Sequence, residues 1–321
     1  MKMLGTLCLL AAAVGGLPAT SHAQDWPSHN VRVIVPYAPG GSTDVMARQI
    51  SLQLTATLGQ QVFVENRSGA NGTLATDFVA KSQPDGYTIL IAPNDIVLNQ
   101  HIYKANYGVL KDFEPVIQLS RQPVVVAVHP SLGVKSVADL VALGKRQSPL
   151  SFATGSGAGS TQSIAMRWLA RKAGFEVQQV PYRGGSAAVV DLLAGTMKVG
   201  SLGSTPVMPY YRSGALLLLA QSTKTRVASL PEVPTFEEAG IKGVVLDQWL
   251  GVFVPAKTPK PILERLNVEI NKALASSAFK ASLLKFGIDP AGGTPEAFRQ
   301  LIVDDDAKYE RLVKEFDVKV Q

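Results

Sequence analysis

The chain reads as an α/β protein with two domains built on mainly parallel sheets. Three observations carry this. Apolar β-branched runs alternate with helix-periodic stretches from residue 31 onward. At several junctions a strand runs through a glycine turn straight into a helix, the grammar of a parallel sheet. The length of 321 residues, with 46% hydrophobic and 17% charged composition, suits two folded domains of ordinary size.

Residues 31–35 are a β-branched strand that breaks into the turn Pro36, Tyr37, Ala38, Pro39, Gly40, Gly41. Ser42, Thr43 and Asp44 follow, and Ala47, Ile50, Leu54 and Leu58 recur at steps of three and four, which predicts a helix over 43–58 ended by Gly59. A second strand is expected at 61–65, a polar loop at 66–72 and a short helix at 73–81. After the Pro84-Asp85-Gly86 turn, a third strand at 87–92 ends at Pro93-Asn94-Asp95, where loop residues can face a cleft. A new α/β unit begins with a strand at 123–128 and a helix at 136–146 that starts at Ser136. It continues as a strand at 150–153, a glycine loop at 154–161 and a helix at 162–173. The same grammar returns as a strand at 177–182, a turn at 183–187 and a helix at 188–194. The chain closes with a strand at 249–255 and two amphipathic helices. Leu263, Leu266, Ile270 and Leu274 stripe the first; Phe298, Leu301, Leu312, Val313 and Phe316 stripe the second, and both are expected to pack on the first sheet. This order assigns 24–123 plus 249–321 to lobe one and 124–248 to lobe two, with hinge crossovers near 124–128 and 248–254.

Residues 1–23 have the form of an export signal: Lys2, an apolar stretch over 4–17, and the small-x-small site Ser21-His22-Ala23. The mature chain is expected to begin at Gln24 and to stay in the periplasm. Gly15, Gly16 and Pro18 interrupt the apolar stretch, and no later segment offers about 18 uninterrupted apolar residues for a membrane span. Cys8, the only cysteine, lies within the signal and lacks the small residues that precede a lipid-attachment site, so disulfides and thiolate chemistry are excluded from the mature chain. The formal charge of +6 is dispersed, with no run resembling a nucleic-acid arm.

The glycine turns are the chemistry on offer. Each leaves the first N–H groups of a helix without intrahelical partners at the positive end of its dipole, an arrangement suited to a carboxylate or phosphate. Ser42, Thr43 and Asp44 also serve as ordinary capping residues, and Asp44 either stabilises the helix dipole or accepts a bond from a ligand ammonium group. Other chemistries lack an anchor. The glycine loop at 155–160 misses the third glycine of G-x-G-x-x-G, and neither a P-loop nor a G-x-S-x-G elbow occurs. His29, His101 and His129 are widely separated and read as loop or surface residues, and Asp304-Asp305-Asp306 reads as a solvated helix face. No catalytic residue, cofactor or metal site is predicted.

Particular segments add a resemblance that runs nearly end to end. They are residues 33–41 with Asp44 and Arg48, 59–72, 84–88, 112–116, 180–184, 230–235 with Glu238-Ala239-Gly240, and 249–256. In these the chain resembles the Bug-type, TctC-like periplasmic solute-binding proteins of tripartite tricarboxylate transporters. The resemblance implies a two-lobed, type II periplasmic-binding-protein fold, each lobe a mainly parallel sheet flanked by helices with the ligand cleft between them. It implies capture of a small organic anion: a di- or tricarboxylate, an acidic amino acid or an aromatic acid. The expected partners are membrane permease subunits, with no nucleic acid, no cofactor and no catalysis, and the expected state is a monomer. Carried over by position, the ligand residues are Tyr37, Ala38, Pro39, Gly40, Gly41, Ser42, Thr43 and Asp44 on one lobe. On the other they are Ser156, Gly157, Gly159, Ser160 and Thr161, with Gly184, Gly185 and Ser204. The chain departs from the pattern at Ser163, where relatives commonly carry histidine, at Lys198, where many are acidic, and in 200–205, which lacks an aspartate. These departures bear on ligand identity. A sensor that engages a membrane histidine kinase is the alternative reading. An exported hydrolase or isomerase would need a convergent nucleophile and base, which the sequence does not offer.

Overall fold

The structure, a computed structural model, describes residues 26–103 and 105–316; the export segment read at 1–23 lies outside them. The first third of the chain forms strand β1 (Val31–Val35), helix α1 (Ser42–Leu58), β2 (Val62–Asn66), α2 (Thr73–Ala80), β3 (Thr88–Pro93), α3 (Asp95–Ile102) and the single-turn α4 (Val109–Asp112). The long strand β4 (Phe113–Val128) leads to α5 (Val137–Arg146), β5 (Leu150–Thr154), α6 (Thr161–Ala173), β6 (Val177–Pro181) and α7 (Gly185–Leu193). Then come β7 (Val199–Gly203), α8 (Ser204–Arg212) and β8 (Leu217–Gln221). The return is made by β9 (Asp247–Pro255), α9 (Lys260–Ala275), α10 (Ser277–Lys285), β10 (Asp289–Pro290) and α11 (Pro295–Phe316).

The strands line up as β2-β1-β3-β9-β4-β7-β5-β6, with β8 and β10 also paired to β4. The trios β2-β1-β3 and β7-β5-β6 are parallel; β9 and β4 run antiparallel to their neighbours. The parallel strands are short; inside the first trio β1 is buried along most of its length, at Val31, Val33, Ile34 and Val35, while the edge strands β2 and β6 carry Glu65, Asn66, Gln178 and Gln179 and stay partly exposed. The fold is therefore mixed α/β with two lobes, each carrying one parallel trio.

Strand β4 joins the lobes. It pairs with β9 from Phe113 to Pro123 and then with β7 and β8 from Val124 to Val128. Its first half escapes the sequence reading because Pro115 interrupts the strand pattern. A proline cannot donate to the ladder, and the register shifts between Pro115 and Ile117 and again between Gln118 and Ser120. The segments 124–128 and 248–254, read as crossovers, lie within the continuous strands β4 and β9.

Three apolar clusters hold the molecule together. One packs α1, α9 and α10 on the first trio, through Met46, Ile50, Leu266, Ile270 and Phe279. One packs α7 and α8 on the second trio through Val189, Leu192, Val207 and Met208. The largest runs across both lobes and includes Phe113, Phe152, Trp249, Phe298 and Tyr309.

Several expectations need correction. The carboxyl-terminal region holds three helices rather than two, since Phe279 and Leu283 bury α10. Helix α11 does not pack on the first sheet alone: Phe316 meets Trp168 of α6 edge-on at 6.0 Å, and Arg171 donates to the Glu315 carbonyl at 2.7 Å. Asp305 is not solvated. It is buried, accepts from Trp249 Nε1 at 2.6 Å and pairs with Lys308. Asp306 accepts from Gln100 and pairs with His101, which sits half-buried on α3 rather than in a loop. Strand β7 and helix α8 escape the sequence reading because Gly200, Gly203 and the prolines at 206 and 209 mask both periodicities; β8, the apolar run Leu217–Gln221, is passed over as well.

Candidate functional site

Helices α1, α7 and α8 each begin just beyond the carboxyl end of a parallel strand, where open α/β sheets place their ligand crevices. Their N-caps are Gly41, Gly184 and Gly203, and none receives a side-chain cap. The neighbouring helix α6 is capped in the ordinary way, its Ser160 hydroxyl accepting from Ser163 N at 3.2 Å. Thus three helices keep their first N–H groups free of side-chain acceptors, and all three ends meet. A Cβ built on Gly203 would lie 2.9 Å from Ser42 Oγ, and one on Gly41 would lie 3.9 Å from Gly185 N.

Between these ends is a small compartment of about 30 Å³, lined by Ser42, Thr43, Gly184, Gly185, Gln162 and Gln248 among others. That space admits a carboxylate group or one or two waters. It opens past Ser156 and Tyr37 into a chamber of about 380 Å³ between the turn at 68–72, residues 155–157, Tyr182 and Arg183. The Ser156 Oγ and Gln248 Oε1 atoms are buried without a hydrogen-bond partner. Buried polar atoms are rarely left so unless a solute or water completes them. Gly155 permits the close packing here, because a Cβ on it would lie 2.5 Å from Gly185 N.

Two carboxylates border the compartment, and both are held by the chain itself. Asp44 accepts from Gly40 N at 2.9 Å, Asn66 Nδ2 at 2.9 Å and Arg48 Nε at 3.0 Å, so it locks the first glycine turn onto α1. Burial pushes its pKa up, but the bonds from Arg48, Gly40 and Asn66 outweigh this and hold it below the ordinary aspartate range. With those acceptors filled, Asp44 has the capping role rather than that of an ammonium acceptor. Asp95, at the start of α3, reaches across to the other lobe. Its Oδ1 accepts from Thr161 N at 2.9 Å and Thr161 Oγ1 at 2.7 Å, and its Oδ2 accepts from Tyr37 at 3.1 Å. Complete burial dominates here and raises Asp95 above its ordinary value. A second bridge between the lobes is Asn71, whose Oδ1 accepts from Gly157 N at 2.9 Å while its Nδ2 donates to the Gly159 carbonyl at 3.2 Å.

Of the residues singled out from sequence, Tyr37, Gly41, Ser42, Thr43, Asp44, Gly184 and Gly185 border the compartment, Gly157 borders the chamber, and Ser156 and Tyr37 border both. The others are engaged elsewhere. Ala38 packs under Gly184; Gly40 and the Pro39 carbonyl face Ser186; Gly159 packs against Ile102 and Tyr103. Ser160 caps α6, Thr161 holds Asp95, and Ser204 donates to the Gly287 carbonyl at 2.7 Å. Ser163 is buried and donates to Gln179, while Lys198 is exposed at the opposite end of β7 from Gly203. Sequence reasoning passed over Gln162, Gln248, Asn71, Tyr182 and Arg183 as site residues. Arg183 adjoins the third glycine turn and Asn71 sits in the polar loop, so proximity to a turn was their available signal; Gln162 and Gln248 carry none, since each belongs to a regular element.

Two α/β lobes closing over a polar compartment at the strand ends define a class, the solute-binding proteins. The comparisons with known proteins narrow it to one family. The model described as the tripartite tricarboxylate transporter family receptor matches residues 46–318, and the chain belongs to that family. Protein BugT of Bordetella pertussis is 34% identical over 313 residues, covering 96% of each chain. The solved structure "R. palustris Rpa4515 with adipate" has 32% identity and a TM-score of 0.88, covering 92% of this chain and 99% of that one. The structure "MatC (Rpa3494) from Rhodopseudomonas palustris with bound malate" has 29% identity and a TM-score of 0.84, covering 90% of this chain and all of the other.

Proposed function

We propose that this protein is a periplasmic receptor that captures a small carboxylate between its lobes and delivers it to the permease subunits of a tripartite tricarboxylate-type transporter. The observation that carries the reading is the meeting of three uncapped helix N-termini, at Gly41, Gly184 and Gly203, around a compartment sized for one carboxylate group. Helix N-termini favour anions through their free N–H groups and dipoles, and the effect strengthens where water is excluded. The adipate and malate bound by the two structural relatives support the choice of a carboxylate.

Binding makes no demand on catalysis in this reading. A carboxylate on α1 also touches α7 and α8, so the ligand stabilises the closed arrangement by bonding both lobes at once. The lobes separate where β4 changes partners, between Pro123 and Val124, and where β9 begins at Asp247. Asp95 and Asn71 are then the contacts re-formed at each closure. The form of residues 1–23 as an export signal supports the periplasmic assignment.

Thermal denaturation of the chain from Gln24 against a panel of carboxylates, sugars and metal ions tests this. At a ligand concentration of 100 Kd, binding adds about 2.7 kcal/mol, which corresponds to roughly 3–5 °C for a protein of this size. A shift with one or more carboxylates is expected. A response confined to sugars or metal ions refutes the proposal.

A further inference from the structure

We propose that solute capture is coupled to the uptake of one proton by Asp95, the buried carboxyl group that joins the two lobes beside the ligand compartment. The coupling rests on the proposal that an anionic solute is held at the three helix ends. Asp95 begins α3 on lobe one and lines the same compartment as Gly41, Gly184 and Gly203. Its Oδ1 is held from lobe two, by the Thr161 N–H at 2.9 Å and the Thr161 hydroxyl at 2.7 Å. Those two bonds last only while the lobes are closed; in an open form water takes their place.

No cation offsets the Asp95 charge. The residue is 1% exposed, and among the described residues no lysine, arginine or histidine pairs with it. The titratable groups that face it are Tyr37 from the first glycine turn, Tyr103 and Tyr107 beyond α3, and Tyr309 from α11. Burial is the chief cause that raises all four, the Asp95 charge contributes, and so they stay neutral. Charged groups on the neighbouring elements are engaged elsewhere: Asp305 with Lys308, Asp306 with His101, Asp44 with Arg48, Arg167 with Ser163, and Arg171 with the Glu315 carbonyl. Burial therefore lifts Asp95 even though the bonds from Thr161 and Tyr37 favour its charged form. A solute carboxylate entering the same compartment adds a like charge and lifts it further.

The geometry also has a place for the proton. Asp95 Oδ2 lies 3.1 Å from the Tyr37 hydroxyl, which has a second acceptor in the Asn71 carbonyl at 3.4 Å. Once Oδ2 carries a proton it donates to the Tyr37 oxygen, and Tyr37 turns its own hydrogen to Asn71. Oδ1 keeps both bonds from Thr161, so the bridge between the lobes survives protonation. In the open, hydrated form Asp95 titrates near the ordinary value of 3.8, and in the closed form above it. Between those two values closure takes up a proton, and affinity rises as pH falls, by up to about tenfold per pH unit.

Calorimetric titration of the parent and Asp95→Asn with the tightest binder among succinate, malate, adipate and benzoate provides the test. It is run from pH 5 to 8 in buffers of different ionisation enthalpy, which counts the protons exchanged. Asp95→Asn imitates the protonated carboxyl, since its oxygen accepts from Thr161 and its amide donates to Tyr37. Protons exchanged by the acid itself are common to both proteins and cancel in the difference. The parent is expected to take up at least about 0.3 proton more than the variant toward pH 5, and to gain at least about twofold in affinity relative to it between pH 8 and pH 5. Equal proton exchange in the two proteins at every pH overturns the coupling and leaves the carboxylate proposal standing. If Asp95→Asn does not bind, the infrared difference between the bound and free parent at pH 5 decides. A new protonated-carboxyl band that is unmoved by carbon-13 labelling of the solute carboxylates supports the coupling, and its absence overturns it. Failure of the parent to bind any of the acids removes the carboxylate proposal and this inference with it.

Discussion

Replacing Gly203 by alanine separates the ligand site from the fold. Gly203 has φ −61° and ψ 151°, which an alanine adopts without strain. Fewer unfolded conformations favour the variant by about 0.4–1 kcal/mol, and the poorer N-cap costs a similar amount, so net stability should stay within about 1 kcal/mol of the parent. The new methyl group, however, points into the compartment. Its carbon lies 2.9 Å from Ser42 Oγ and 3.0 Å from Gln248 Oε1, closer than ordinary van der Waals contact, in a space of about 30 Å³. Ser42 and Gln248 must turn away, and a carboxylate can no longer reach α1 and α8 together. Losing two hydrogen bonds to a charged group, each about 1.5–3 kcal/mol, lowers affinity by two to four orders of magnitude. Calorimetric titration with the best carboxylate, alongside melting of the ligand-free protein, reads both quantities. Affinity within threefold of the parent at unchanged melting temperature refutes the placement of the carboxylate at these helix ends.

The two buried carboxylates should respond to pH with opposite signs. Asp44, held low, contributes stability that is complete above the ordinary aspartate value of 3.8 and is lost as pH falls through its lowered value, so Asp44→Asn should flatten the acid limb of the stability profile in urea titrations. Asp95, raised by burial, favours the folded state most below that value of 3.8 and loses this contribution as pH rises through its raised one, so Asp95→Asn should be less penalised, relative to the parent, at pH 7 than at pH 4. Asp305→Ala strands Trp249 Nε1 in the core and should destabilise by about 2–4 kcal/mol, seen as a lower urea midpoint with unchanged slope. Lys198→Ala should leave carboxylate affinity unchanged in titration, because the side chain is exposed at the end of β7 away from the site.

How far the fold is legible from sequence depends on where periodicity survives. The strand at Val31–Val35 and the helix beginning at Ser42 declare themselves, because four of the five strand residues are β-branched and the helix has an apolar stripe ended by Gly59 in a left-handed conformation. Strand β4 is half hidden by Pro115 and by register shifts that no local pattern reveals. The acidic run at 304–306 looks solvated because the partners of Asp305 and Asp306 are distant in sequence: Trp249 in one case, Gln100 and His101 in the other. The glycine turns at Gly41 and Gly184 are visible as helix starts, but the contrast between those uncapped ends and the capped end at Ser160 requires knowing where each hydroxyl points. Gln162 and Gln248 are invisible for the same reason. Each sits in a regular element and acquires its place only when two lobes meet.

The most direct measurement is a crystal structure of the protein with a bound carboxylate, chosen as the strongest binder in titration. One carboxylate of the ligand is expected within about 3.2 Å of backbone nitrogens at the starts of α1, α7 and α8. The rest of the ligand should extend past Ser156 into the chamber. A ligand seated outside this cleft, or one whose carboxylates are held by side chains while the three helix ends stay unengaged, contradicts it.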